Sequence, residues 1–349
     1  MPLVCTVSSV GSAQILLPQL HVCSYVFFTH VMSRNKRLYA SDGSGAFQDF
    51  ARAIEASGGY TGGISFDMRY GINEKTGAAL LPTALEEART ELLELYNKSN
   101  IKHYGILNCI TMPGLMSYLV AVLPSTFSKM RSLQRGDPNS VIVLAFGAFQ
   151  VNVSSDWTMY YRRYFQEIGN YDVDILIAVT SEEGQIGDKV CYAAPTSVWN
   201  TTNTNFSSIE RHSKLLLDSQ HYPRSSLYVG LSFEMGVNLY QLTHNDTAIE
   251  DAPFAPCDQY TQVAYEQVCD PHVRLKTLDN VVESGAIHDY VFFYDSWDTI
   301  KKKVDAVLSL KLPPKIAWLL YNTHFSMTPG TCISSFDRER KLRDYLASK

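Results

Sequence analysis

The chain has 349 residues, of which 46% are hydrophobic, 19% charged and 12% aromatic, and its formal net charge is -5. This is the composition of a globular protein with a large core, and it excludes a disordered one. The acidic balance, with no basic run longer than Lys301-Lys302-Lys303, speaks against nucleic acid as a partner.

In chain order, the apolar segments Leu3–Ser8, Cys23–Val31, Gly62–Tyr70, His103–Ile110, Val141–Phe149, Val173–Thr180, Leu227–Phe233 and Ile316–Tyr321 read as strands. They are rich in Val, Ile, Leu, Phe and Tyr, as strands covered on both faces should be. Good helix formers lie between most of them. Thr83–Lys98 follows Pro82, and Ser207–Ser219 and Asp298–Leu310 are similar. Strands alternating with helices predict a parallel sheet, and eight of them predict an α/β fold of the closed (β/α)8 kind, a TIM barrel. About 80 residues separate the seventh strand from the eighth, too many for a simple loop. Residues 236–310 are therefore expected to form a small α+β insertion, with a strand at Asp289–Tyr294, and residues 1–235 and 311–349 to form the barrel.

No stretch reaches the roughly 20 unbroken apolar residues of a membrane span. The best candidate, Leu16–Met32, is interrupted by Gln19, His21, Ser24 and His30, and Met1 opens no basic-then-apolar leader. Five N-x-S/T sequons, at Asn97, Asn152, Asn200, Asn205 and Asn245, together with seven cysteines, nonetheless point to a secreted glycoprotein whose signal peptide is absent from this chain.

Residues Tyr104 to Gly114 read YGILNCITMPG. The segment resembles the D-G-x-D-x-D-x-E-x-P-G motif of glycoside hydrolase family 18, keeping its glycine and closing Pro113-Gly114 and losing every carboxylate. Further segments resemble the same family in order. They are Val4-Cys5 with Cys23-Ser24-Tyr25-Val26-Phe27-Phe28, Asp174 with the ILIAVT run, Leu227-Tyr228-Val229-Gly230, Ala264-Tyr265-Glu266-Gln267-Val268-Cys269, Tyr294-Asp295, Ala317-Trp318-Leu319-Leu320 and Cys332. The chain is thus similar to the chitinases and chitinase-like proteins of animals over nearly its full length.

What the resemblance implies is decided by the departures. In active members a glutamic acid protonates the leaving oxygen while the substrate's acetamido group attacks, oriented by an aspartate two residues earlier. The positions alternating along the fourth strand are here Leu107, Cys109 and Thr111. A hydroxyl is too weak an acid for the task, and a thiol with a pKa of about 8.5 ionises rather than donates. Leu and Cys on the inward face read as core filling. In the sixth strand the tyrosine and aspartate that hold the acetamido group are replaced by Ser181-Glu182. The expectation is a non-catalytic protein that binds a glycan or a secreted or cell-surface protein.

Two alternatives stay open. Glu182, next to Glu183, and Glu234 lie near the ends of the sixth and seventh strands. Mouth carboxylates of this kind could serve a diverged glycoside hydrolase, or be solvated loop acids. Trp318 reads equally as the aromatic floor of a sugar site and as a core tryptophan, and Tyr321, which ends the eighth strand, joins it as a binding candidate. Asp67, near Arg69, reads as an ion-pair or a mouth residue. The resemblance also implies disulfides Cys5–Cys23 and Cys269–Cys332. Cys191–Cys257 is expected to join the loop after the sixth strand to the insertion, leaving Cys109 as the free thiol. No H-E-x-x-H or C-x-x-C pattern predicts a metal site, and the glycine-rich stretches Gly43-Ser44-Gly45 and Gly58 to Gly63 read as turns, so no cofactor is expected.

Overall fold

The structure is a computed structural model, described for residues 1–9, 17–67, 81–111, 113–148, 155–181, 185–186, 190–201, 206–218, 225–244, 247–269, 272–278, 281–310, 315–326 and 336–349. Its strands are β1 Leu3–Val7, β2 Tyr25–Arg34, β3 Arg37–Ala40, β4 Gly62–Phe66, β5 Ile101–Thr111, β6 Ile142–Ala148, β7 Ile175–Ala178, β8 Gln185–Ile186, β9 Val190–Tyr192, β10 Tyr228–Glu234, β11 Val237–Leu242, β12 Pro256–Val263, β13 Lys276–Thr277, β14 Glu283–Ile287, β15 Tyr290–Tyr294 and β16 Ile316–Tyr321. Its helices are α1 Ala46–Ser57, α2 Leu81–Glu87, α3 Arg89–Lys98, α4 Pro113–Gln134, α5 Ser155–Gly169, α6 Ile209–Asp218, α7 Trp297–Ser309 and α8 Asp337–Ala347.

Eight parallel strands close on themselves in the order β1, β16, β10, β7, β6, β5, β4, β2, and β1 pairs back with β2 through Val4↔Tyr25 and Cys5↔Val26. This is the expected (β/α)8 barrel. Every predicted barrel strand is present. The single helix expected at Thr83–Lys98 is two, separated at Ala88, where ψ is 4°. The hydrogen-bond ladder still runs through this break, with Ala88 N–H on the Ala84 carbonyl and Leu92 N–H on the Ala88 carbonyl.

Period-two alternation divides the barrel residues between two cores. Val4, Phe27, Leu107, Val143, Ala145, Ile177, Val179, Ala317 and Leu319 fill the lumen. Their sequence neighbours, among them Leu3, Cys5, Val26, Phe28, Leu144, Leu231, Trp318 and Leu320, pack outward with residues of the helices. Space in the lumen is tight. A Cβ on Gly63 would meet the Phe27 ring at 2.5 Å, so only glycine admits that ring.

A second sheet is antiparallel, in the order β13, β14, β15, β11, β12, β9, β8. Five of its strands come from the stretch between β10 and β16. The other two, β8 and β9, come from the excursion after β7. Cys191 of β9 and Cys257 of β12 are direct register partners and form a disulfide, with Cα atoms 5.0 Å apart. Cys5 and Cys23 form another, at 5.9 Å. Cys269 is also disulfide-bonded, while its expected partner Cys332 lies outside the described residues. Cys109 is free and buried.

Candidate functional site at the barrel mouth

In a barrel of this kind the C-terminal strand ends form the mouth where ligands bind. At the end of β5 the ladder to β6 slips. Ile106 pairs with Leu144 and the next pair is Cys109 with Phe146, so β5 holds one residue more than its partner over this step. A bulge of this kind re-aims the side chains that follow it. Leu107 faces the lumen, as expected, but Cys109 does not share its face. It packs in the outer, helix-facing core, fully buried, and Ile110 packs against the lumen instead. The expectation that Leu107 and Cys109 alternate on the inward face is corrected by the bulge. Burial alone pushes the Cys109 thiol far above its ordinary pKa, which makes it inert. Thr111 closes the strand, and its side chain lies outside the described residues.

Tyr321 ends β16, diametrically opposite β5 in the closed sheet, with three strands between them on either side. Its hydroxyl donates to the Leu107 carbonyl, crossing the whole lumen. The ring is half-buried and packs against the lumen core, so it forms a floor just below the mouth. Beside it, Ser232 of β10 links to the end of β7. Its Oγ accepts the Thr180 N–H at 2.8 Å and lies 3.0 Å from the Ser181 hydroxyl.

Glu234, the last residue of β10, is only 2% exposed. Its Oε1 accepts the Gly236 N–H at 2.8 Å and its Oε2 accepts from Asn322 Nδ2 at 3.2 Å. Asn322 Nδ2 also donates to Gln262 Oε1 at 3.1 Å, and Gln262 Nε2 donates to Asn238 Oδ1 at 3.3 Å. On the barrel side, the Ser8 hydroxyl donates to Asn322 Oδ1 at 3.2 Å. The carboxylate therefore sits inside a relay that ties β1, β10 and β16 to β11 and β12 of the second sheet. Asn322, Gln262, Asn238 and Ser232 had no signal in the sequence, because only the tertiary fold brings them together.

The remaining expected residues are dispersed. Trp318 is fully buried on the outer face of the barrel, its ring stacked on Phe233 at 5.4 Å, and it presents nothing to solvent. Asp67, at the end of β4, is fully buried, with its N–H on the Val31 carbonyl at 2.9 Å. Glu182, Asn152, Asn205 and Asn245 lie outside the described residues. Asn97, near the end of α3, and Asn200, in the loop before α6, are exposed. No group of His, Cys, Asp and Glu suited to a metal ion occurs among the described residues, nor any helix long and apolar enough to cross a membrane.

No protein-family model and no curated protein sequence matches the chain. Solved structures do. Human YKL-39, described as a pseudo-chitinase with retained chitooligosaccharide binding properties, superposes with a TM-score of 0.68 at 10% identity, over 99% of each chain. The immunomodulatory active chitinase TsES1 of Trichuris suis gives 0.66 at 9% identity, again over 99% of each chain. The chitinase-like agglutinin RobpsCRA of Robinia pseudoacacia gives 0.64 at 14% identity over 98% of each. These likenesses establish the fold, a chitinase-like (β/α)8 barrel spanning the whole chain.

Proposed function

We propose that this protein is a secreted, chitinase-shaped carbohydrate-binding protein that does not cleave its ligand. The observation that carries the reading is the Tyr321 hydroxyl on the Leu107 carbonyl. A chitinase of the kind this chain resembles seats one sugar ring in the lumen mouth, against an acid on the strand that corresponds to the one bearing Leu107. Here a tyrosine from the opposite strand occupies that line, and the facing side chains of β5 are Leu107 and Ile110. Of the described carboxylates at the mouth, Asp67 is fully buried and Glu234 has both oxygens engaged by Gly236 and Asn322. A short oligosaccharide would instead lie across the mouth on the Tyr321 ring, since an aromatic face offers a sugar apolar contact with a polar edge nearby. The chitooligosaccharide binding retained by the pseudo-chitinase YKL-39 supports that ligand class. Secretion is supported by the disulfides, Cys5–Cys23 and Cys191–Cys257 among them, and by the exposure of Asn97 and Asn200.

The test pairs calorimetric titration of chitotetraose with an assay for released reducing sugar. Binding without turnover is expected, weakened in Tyr321→Ala. Wild-type turnover that disappears in Glu234→Gln would show instead a diverged hydrolase using that acid.

A further inference from the structure

The strand β2 does not stop at the barrel rim. It last pairs with β4 at Val31↔Phe66, then continues to Arg34 and turns back as β3. Three further residues carry the turn about 10 Å past the rim, on the mouth side. The tip reads Arg34-Asn35-Lys36-Arg37, three cations in four residues of a chain whose net charge is -5.

One feature of this tip runs against local stability. Asn35 and Lys36 both have positive φ, 51° and 63°. A two-residue hairpin turn of this type favours Asn-Gly, because a Cβ at the second position crowds the backbone. Lysine stands where glycine would relax the turn. Arg34 and Arg37 are direct register partners across the turn. The hairpin is nevertheless held firmly. Leu38 is 1% exposed, its N–H donates to Glu91 Oε2 at 2.8 Å and its carbonyl accepts from Gln48 Nε2 at 2.9 Å. Glu91, the carboxylate whose field reaches Arg37, is thereby committed to the backbone. Lys36 and Arg37 are exposed, and no ion pair engages either among the described residues. Local conformational cost concentrated in an anchored, protruding feature is a signature of a recognition element.

We propose that the β2–β3 hairpin tip binds sulfated glycan chains, with Lys36 and Arg37 as sulfate-binding residues. The shape of the charge favours this polyanion. Over a broad anionic surface the acidic body of the protein would be repelled, whereas a thin, flexible chain can engage the tip alone. At physiological salt, interactions between exposed charges fade beyond about 8 Å, so a chain at the tip is screened from the body. The proposal is independent of the lumen and of chitooligosaccharide binding.

The experiment measures binding of a fluorescent heparin hexasaccharide to the full chain at several salt concentrations, with phosphatidylserine-rich vesicles as a second probe. Lys36→Gly is expected to weaken hexasaccharide binding several-fold and to flatten the log–log salt dependence by about 1. The same change should raise the melting temperature, because it relieves the left-handed lysine. Arg37→Gln should weaken binding too, while Lys302→Gln, at an exposed lysine on α7, should leave it unchanged. Wild type that ignores the hexasaccharide, Lys36→Gly that binds as tightly as wild type, or vesicles bound in preference to the hexasaccharide would each overturn the proposal.

Discussion

Trp318 shows how far a single residue's type can be read. Its chemistry suits a sugar floor, but strand alternation turns it outward, and the indole is sealed against Phe233. Its Nε1–H has no acceptor among the described residues. An unmet buried donor costs stability in the native state, so a change that deletes the donor and keeps the bulk is nearly free. Trp318→Phe should therefore alter the unfolding free energy by about 1 kcal/mol or less, whereas Trp318→Ala should cost about 3–5 kcal/mol through the cavity it leaves. Urea titration of the two variants measures both. Neither should change chitotetraose affinity beyond its effect on folding. A selective loss of binding in Trp318→Phe would place the indole at the ligand after all.

At the scale of elements, the second sheet is fixed to the barrel by a buried charged junction. Arg338 of α8 donates to the Met235 carbonyl, where the chain leaves the barrel, at 2.6 Å. It also donates to the Asp295 carbonyl, where the chain returns, at 2.7 Å, and to Ser326 Oγ at 2.8 Å. Asp295 and Lys303 form an ion pair with both side chains fully buried. Thr196 and Thr299 also donate to the Asp295 carboxylate. Burial pulls the Lys303 ammonium below the usual lysine range, against the attraction of Asp295. Removing one partner of such a pair strands the other charge. Asp295→Asn should cost about 3–5 kcal/mol, while Asp295→Asn with Lys303→Met should recover part of that loss. Thermal denaturation of the single and double variants checks it, and equal losses in both would exclude a coupled pair. The contrast between strands and junction explains what sequence could reveal. The barrel strands are local apolar runs, so Leu3–Val7 or Ile316–Tyr321 declare themselves. The extra residue in β5 exists only relative to the register of β6, and the Glu234–Asn322–Gln262 relay joins residues 28 to 88 positions apart or more. No window along the chain contains such information. The disulfide Cys191–Cys257 was expected from the sequence and is present, but that it staples β9 onto β12 of a shared antiparallel sheet was not legible.

At the scale of the whole molecule, two of the three buried histidines among the described residues, His103 and His212, contribute to the response to acid. His103 lies low in the lumen, edge-on to Tyr25, with its Nδ1 accepting the Val141 N–H at 3.2 Å. His212 on α6 holds the Ser208 carbonyl at 2.9 Å from Nδ1, so that nitrogen carries the proton. Burial disfavours the charged ring in both and lowers their pKa values, to about 3 for His103 and about 4 for His212. The folded pKa is therefore below the unfolded one of about 6.5. Above that value both states hold the rings neutral and their contribution to stability is intact. Below it the unfolded chain binds protons that the folded chain refuses, and stability falls as the pH drops. Each histidine adds a slope of about 1.4 kcal/mol per pH unit, which for His212 levels off near its folded pKa. Replacing His212 with glutamine keeps an amide N–H for Ser208 and removes the titration. The variant should lose some stability at pH 7 through imperfect packing against Tyr161, yet show a shallower loss between pH 6 and pH 4. Urea midpoints measured across that range decide the matter. Parallel pH profiles for wild type and His212→Gln would mean that the buried ring is not what makes this barrel sensitive to acid.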